Sequence, residues 1–223
     1  MTGCILCAVK TTGLDPDLPQ ILKRMPSLRL QKLARLRRKE DRQRSICAEL
    51  ALQAAFALAG LAPLNYTIGS NGRPELPGSL DLSISHAGEY GAAVLAPMPV
   101  GLDLEEKGRS LARIRKRICS REELGVTDGE LVRLWTAKEA YLKLTGEGLR
   151  MSMTRLSLRD DLVLRDSAAD ARILLPKPPR GYTAAIATRV PTEAEVHILD
   201  AETAMRYADE QQKEHQWLTR TKP

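Results

Sequence analysis

Trp135-Thr-Ala-Lys-Glu-Ala-Tyr-Leu-Lys143 and, upstream of it, Val100-Gly-Leu-Asp-Leu-Glu105 follow different periods, and the two periods predict different structures. Around the first, apolar Leu131, Leu134, Ala137, Tyr141 and Leu144 recur at steps of three and four, so a helix is predicted over 128–145. Gly146 and Gly148 stop it. Glu139 and Lys143, spaced i and i+4, stack on one side of that helix at the border of its apolar stripe. Around the second, Pro97, Pro99 and Gly101 punctuate the chain, and Val100, Leu102 and Leu104 alternate with other residues as in a strand. Asp103 and Glu105 then share one side while Leu102 and Leu104 enter the core. Carboxylates held like this repel each other unless a cation lies between them. With Glu139 alongside, three hard oxygen ligands predict a magnesium site that keeps positions open for water and substrate phosphates.

Either motif alone has an ordinary reading, as a solvated helical ion pair or as the wet face of a strand. Together, about thirty residues apart and followed by Gly146-Glu-Gly-Leu149, they resemble the surfactin-synthetase type of 4'-phosphopantetheinyl transferase. That family carries a Gly-x-Asp-x-Glu strand, a Trp-x-x-Lys-Glu-x-x-x-Lys helix and a Gly-x-Gly-Leu turn, and all of these residues stand here in order. The resemblance implies transfer of the 4'-phosphopantetheine arm of coenzyme A, as co-substrate, to a serine of an acyl or peptidyl carrier protein, with magnesium as cofactor and 3',5'-ADP as product. It implies Asp103, Glu105 and Glu139 as metal ligands, and Glu139 as base, directly or through a water. Lys143 would lie on the attacked phosphate, and Lys138 would support the diphosphate or the carboxylates.

The resemblance extends upstream. Arg29, Lys32, Lys39-Glu-Asp41 and Arg44-Ser45 fall where the family holds the nucleotide end of coenzyme A. Leu80, Leu82 and Ile84 alternate with Asp81, Ser83 and Ser85, predicting a half-buried strand that ends at His86. The family has a Ser-His at the end of this strand, so Ser85 and His86 are implied phosphate contacts, with His86 also in the implied catalytic set. It also has a Gly-Lys-Pro turn just before. Here Asn71-Gly-Arg-Pro74 puts Arg73 in place of that Lys, exchanging a point charge for a planar fork.

Composition bounds the remaining readings. The 223 residues suffice for one large domain or two small ones, and with aromatics at 4% the core must be built from Leu, Val, Ile and Ala. Cys4, Cys7, Cys47 and Cys119 show no disulfide framework, and Cys4-x-x-Cys7 lacks the second pair of a zinc site; both read as apolar residues of a first strand, 4–9. The longest apolar run, 46–61, is interrupted by Glu49 and Gln53 and is too short for a bilayer. With no cleavable leader read in the sequence, a cytoplasmic location is expected.

Net charge is +6, yet 23–44 alone carries an excess of +8 and reads as helical, ahead of an apolar helix 46–59 opened by Arg44-Ser45 and closed by Gly60. A second basic helical segment, 110–124, presents Arg113, Arg115, Lys116, Arg117 and Arg121, complementary to the acidic surface that the family's carrier proteins present. Two other functions stay open at this stage. One is a non-catalytic module binding nucleic acid through 23–44, which the scarcity of aromatics for base stacking disfavours. The other is a metal-dependent phosphohydrolase acting on coenzyme A without an acceptor.

Tyr90-Gly-Ala-Ala-Val-Leu-Ala96 resembles Tyr182-Thr-Ala-Ala-Ile-Ala-Thr188. Each follows an apolar helix ending at Gly-Leu, and each leads through a Pro-containing link into a strand ending in acid, at Leu102-Asp103 and Leu199-Asp200. A duplicated unit is predicted, giving an α+β fold of two similar helix-plus-antiparallel-sheet subdomains, 1–105 and 106–223, related by a pseudo-twofold axis across a cleft. Strands 80–86, 90–96 and the one bearing Asp103 are expected to form a meander. Asp200 lacks the second carboxylate, so one metal site is expected, in a protein that can function as a monomer. A polar helical tail is expected from 201 onward.

Overall fold

A computed structural model describes residues 2–62, 65–70 and 72–220, with the backbone alone at 149 and 214–220. Asn71 of the predicted turn and the side chain of Leu149 lie outside the described residues. The chain runs from β1 (Cys4–Lys10) through short helices α1 (Pro19–Leu22) and α2 (Ser27–Leu33) into the long α3 (Lys39–Leu58). A small hairpin, β2 (Thr67–Ile68) and β3 (Pro74–Glu75), precedes β4 (Asp81–Ala87), β5 (Tyr90–Ala96) and β6 (Val100–Glu106). After α4 (Arg115–Ile118) come α5 (Asp128–Thr145), β7 (Leu156–Arg159), β8 (Leu162–Arg165), β9 (Ala168–Leu174), β10 (Tyr182–Thr188), β11 (Ala194–Leu199) and α6 (Ala201–Arg220).

The class is α+β, as expected, with antiparallel pairing dominant; β11 against β1 is a parallel pair. Strand order is β11-β1-β5-β4 in one sheet and β6-β10-β9-β8-β7 in the other. The meander is not formed. β4 and β5 pair, but β6 leaves for the second sheet and pairs with β10. Pairing therefore crosses the 105/106 boundary in both directions, since the late strand β11 returns to the first sheet.

Side-chain alternation makes the layers. Ile5, Cys7, Val9, Ala93 and Leu95 pack toward α3, while Cys4, Leu6, Ala8, Val94 and Ala96 on the opposite faces of the same strands join Val100, Leu102, Leu104, Ala184 and Ile186 in a core between the sheets. Ala185 and Ala187 of β10 turn the other way, into the core beneath α5. Cys4 and Cys7, an odd number of residues apart, thus face different cores and cannot share a ligand. All four cysteines are free and buried.

The order β1-β5-β4 beneath α3 recurs as β6-β10-β9 beneath α5, with the two look-alike segments, 90–96 and 182–188, in the middle of each set. A glycine lets each helix settle. A Cβ on Gly91 would run into the α3 backbone at Ala48, and one on Gly101 into the α5 carbonyl of Ala140. Helix α5 has the predicted limits for a local reason: the Thr127 hydroxyl accepts from the Glu130 amide (3.3 Å) while Glu130 accepts from the Thr127 amide (2.7 Å), and Gly146 ends the helix at φ +69°.

Two helical expectations are corrected. The stretch 22–44 is broken between α1, α2 and α3, so Arg44-Ser45 lies inside α3 rather than opening a helix. The segment 110–124 holds only α4 and single 3₁₀ turns at Ala112–Ile114 and Arg121–Glu123. The tail is helical as expected, and Asp200 begins it by accepting from the Thr203 amide at 2.7 Å. Among the described residues no helix is long and apolar enough to cross a membrane.

Candidate active site

Strands β4 and β6 lie side by side without a backbone ladder. Instead Asp81, Ser83 and Ser85, one from every second residue, accept the amides of Val100, Leu102 and Leu104 at 2.8, 2.9 and 3.2 Å. The polar alternation of β4 is therefore a buried seam between the sheets and not the wet side of a half-buried strand; Ser83 and Ser85 are both buried. Arg73 is bound into this seam, pairing with Asp81 and donating to the Val100 carbonyl at 2.8 Å.

Because Gly101 faces α5, so do Asp103 and Glu105, two and four residues further along β6. Helix α5 runs past them in the opposite sense. Lys143 donates to Asp103 Oδ1 (2.8 Å) and to Ser85 Oγ (3.0 Å), while Ser85 Oγ donates to the same Oδ1 at 2.8 Å. Two turns earlier on the helix, Trp135 Nε1 donates to Glu105 Oε1 at 2.9 Å, and Arg109 pairs with that oxygen too. Glu139 stands between, on the same side of the helix as Lys143 and Trp135. Burial and the Asp103 carboxylate push its pKa up, with Glu105 adding to the rise and Lys143 and Arg109 opposing it.

Asp103 Oδ2 is buried and has no hydrogen-bond partner among the described residues. An orphaned buried carboxylate oxygen next to a carboxylate whose pKa is raised by its neighbours is a place that a cation would relieve, and all-carboxylate donors suit a hard cation such as magnesium. Among the described residues no three His, Cys, Asp or Glu side chains already stand around a common metal position. The donor chemistry fits, and the side chains would have to close on the ion.

A cavity of about 720 Å³ opens from Asp103, Ser85 and Lys143 toward α2. His86 stands open to it, its pKa pushed down by the protein crowding the ring and by the charges of Lys32, Lys143 and Arg44. Lys32 is lowered in turn by the cavity wall, Arg29 and Lys143. No carboxylate pairs with Lys32 among the described residues. Burial and the neighbouring cations disfavour charge on both Lys32 and His86, and a bound anion would relieve that.

The remaining expected contacts are placed differently. Arg29 lines the cavity, but it is buried and spends its charge on Glu49 (Nη2 to Oε2, 3.0 Å), reaching Ser45 Oγ at 3.3 Å. Tyr66 adds an O–H to the same Glu49 oxygen at 2.9 Å. Arg44 pairs with Asp41 and the Gly88 carbonyl, and neither it nor Ser45 lines the cavity. Lys138 is the clear correction. It is only 1% exposed and donates to Glu123 and to the carbonyls of Ile118 (2.8 Å), Met153 (3.2 Å) and Leu156 (2.7 Å), with no donor left for a diphosphate. Its spacing from Leu131 and Leu134 puts it on the apolar stripe, a signal that would have identified it as structural. The sequence reading missed Gln31 and Arg35 on the cavity wall, although 28, 31, 32, 35 and 36 recur at helical steps, and it missed Arg109 beside Glu105.

Residues 99–187 match the family model described as the 4'-phosphopantetheinyl transferase superfamily. Among curated relatives, the chain is similar to a 4'-phosphopantetheinyl transferase of Bacillus subtilis, 28% identical over 58% of this chain and 63% of the relative. It is similar to one of Bacillus pumilus, 28% identical over 74% of this chain and 79% of the relative. A putative one of Synechocystis is 33% identical over 60% and 62%. The chain thus spans a little under two thirds of the length of the first of these. The nucleic-acid alternative finds no support in these matches. Residues 99–187, which take in β6, α5 and the strands of the second sheet, are thus the part of the chain that is similar to the 4'-phosphopantetheinyl transferase superfamily.

Proposed function

We propose that the protein transfers the 4'-phosphopantetheine arm of coenzyme A to a serine hydroxyl of an acyl or peptidyl carrier protein and releases 3',5'-ADP. One observation carries the reading: a cavity walled by Lys32, which no described carboxylate pairs with, reaches Lys143 and Asp103, and the second oxygen of Asp103 is buried without a partner among the described residues. A molecule with separated phosphates and a reactive diphosphate suits such a polarity.

In this reading Lys32 and His86 hold the nucleotide phosphates, with Arg35 and Gln31 beside them and Arg44 contributing its field. Arg29 and Ser45, tied to Glu49, and Arg73, tied into the seam, fix the walls. Lys143 donates to an oxygen of the phosphate under attack. Glu139, whose raised pKa makes it a better base than an exposed carboxylate, accepts the serine proton directly or through a water. The serine oxygen bonds to the phosphorus bearing the pantetheine arm, and the bond from that phosphorus to the bridging oxygen breaks, that oxygen leaving with 3',5'-ADP. Asp103, Glu105 and Glu139 would hold magnesium, which when bound supplies neutralisation of the charge on the diphosphate.

The exposed Arg113, Lys116, Arg117 and Arg121 are the basic surface suited to an acidic carrier-protein helix. The repeated strand order is read as two units related by a pseudo-twofold axis, the second taking β6 from the end of the 1–105 segment, in a protein acting in the cytoplasm as a monomer. Incubation with coenzyme A, magnesium and a panel of apo carrier proteins tests the function. The expected result is a mass gain of one arm on carriers with the serine and none on a Ser→Ala carrier. Release of 3',5'-ADP without any acceptor would make the protein a phosphohydrolase instead.

A further inference from the structure

Asp103 and Glu105 leave β6 toward α5, which carries Glu139, and the cations supplied to the two β6 carboxylates are unevenly built. Asp103 has Lys143, anchored in the seam through Ser85. Glu105 has Arg109, which follows the turn after β6 and whose side chain is 42% exposed. That guanidinium also lies over the Trp135 ring, 5.2 Å from its centroid, and Trp135 itself donates to Glu105 Oε1 at 2.9 Å. Glu105 is thus held by an indole carried on α5 and by an arginine that can swing away, because one flank is in water and its stack on the ring is an exposed, weak contact that the swing would break.

We infer that Arg109 is a displaceable counter-ion: it neutralises Glu105 while the carboxylate cluster lacks a divalent cation and hands that oxygen over when the cation enters. The inference rests on the proposed function only in taking Asp103, Glu105 and Glu139 as the cation's ligands. Trp135 is the positioning residue, keeping Glu105 turned toward α5 in both states, and the stacked guanidinium makes its indole a reporter of the exchange. Arg109 competes with the cation both for Glu105 Oε1 and through its charge, so removing it strengthens cation binding. A half-exposed pair is weak, so a two- to fivefold lower half-saturation, roughly, is the size expected.

The test is tryptophan emission during Mg²⁺ titration in a Trp217→Phe background, which leaves Trp135 as the sole reporter, with Mg²⁺ alone and again with coenzyme A but no acceptor. In the parent, Mg²⁺ should change the emission. In Arg109→Gln the midpoint should fall two- to fivefold while the amplitude shrinks, the stack being already gone; Arg109→Lys should keep a midpoint close to the parent's. An emission that Mg²⁺ leaves unchanged, or an Arg109→Gln midpoint equal to or above the parent's, overturns the counter-ion role. Failure to modify any carrier protein alongside a normal Mg²⁺ response would instead count against the transfer reaction.

Discussion

Lys138 and Lys143 stand five residues apart on one helix and lead opposite lives. Lys138 faces the core, donates to one carboxylate and three carbonyls, and ties Ile118, Glu123, Met153 and Leu156 to α5. Lys143 is 30% exposed at its side chain, donates to Ser85 and Asp103, and leaves the second oxygen of Asp103 unsatisfied. On one face every polar group is answered from within the protein, which is what stability demands. The other face is short of partners, as the proposed site for phosphates and a metal would need. The difference separates fold-making charge from working charge on a single element.

The comparison predicts opposite phenotypes. Asp103→Ala and Lys143→Ala should each lower transfer by about three orders of magnitude, since in the proposed reaction they remove groups facing the diphosphate, while denaturant unfolding moves less than in the Lys138 variant, because Lys143 keeps contact with solvent. Comparable stability losses at Asp103 and Lys138 would erase the distinction. Lys138→Met should destabilise by roughly 3–5 kcal/mol, because Glu123 is left buried without its cation. At a temperature where that variant stays folded, its KM for coenzyme A should be unchanged. A raised KM would return Lys138 to the diphosphate.

How far the two faces were legible follows from the same residues. The helix 128–145 came out to the residue because its period, its Thr127 and Glu130 cap and its Gly146 stop are all local. The motif also pointed to the part of α5 that meets Asp103 and Glu105. Lys138 was misassigned by the same motif, although its place on the apolar stripe was there to be read. Non-local pairings were the part that could not be read. Nothing near 100–106 says that β6 abandons β5 for β10, and nothing near 81–85 says that its polar residues carry the amides of β6. Arg29 looked like a free cation because Glu49, its partner, lies on another helix.

Smaller effects sharpen the contrast at the cavity. Lys32→Ala should raise the KM for coenzyme A roughly tenfold at most with little change in kcat, as loss of one charge-assisted contact does. His86 carries the pH signature. Its pKa is depressed in the free protein by its crowded position and by Lys32, Lys143 and Arg44, and a bound phosphate would raise it. Binding then takes up a proton, so affinity for 3',5'-ADP should strengthen as pH falls through the ordinary histidine range near about 6.5. The effect is less than about tenfold per pH unit for one proton. The His86→Gln profile should be flatter than the parent's when both are followed by calorimetry, and superimposable profiles would remove His86 from the phosphate site.

The central claim is that the Lys143 face of α5, with Asp103 opposite, is where the arm of coenzyme A changes hands. Its most direct test is the rate at which an apo carrier protein gains one phosphopantetheine by intact mass, with parent, Asp103→Asn and Lys138→Arg proteins compared at equal folded concentration. The account predicts rapid gain for the parent, a rate within a few-fold of it for Lys138→Arg, and almost none for Asp103→Asn. A parent that adds no arm to any carrier, or an Asp103→Asn protein that adds it at the parental rate, would contradict it.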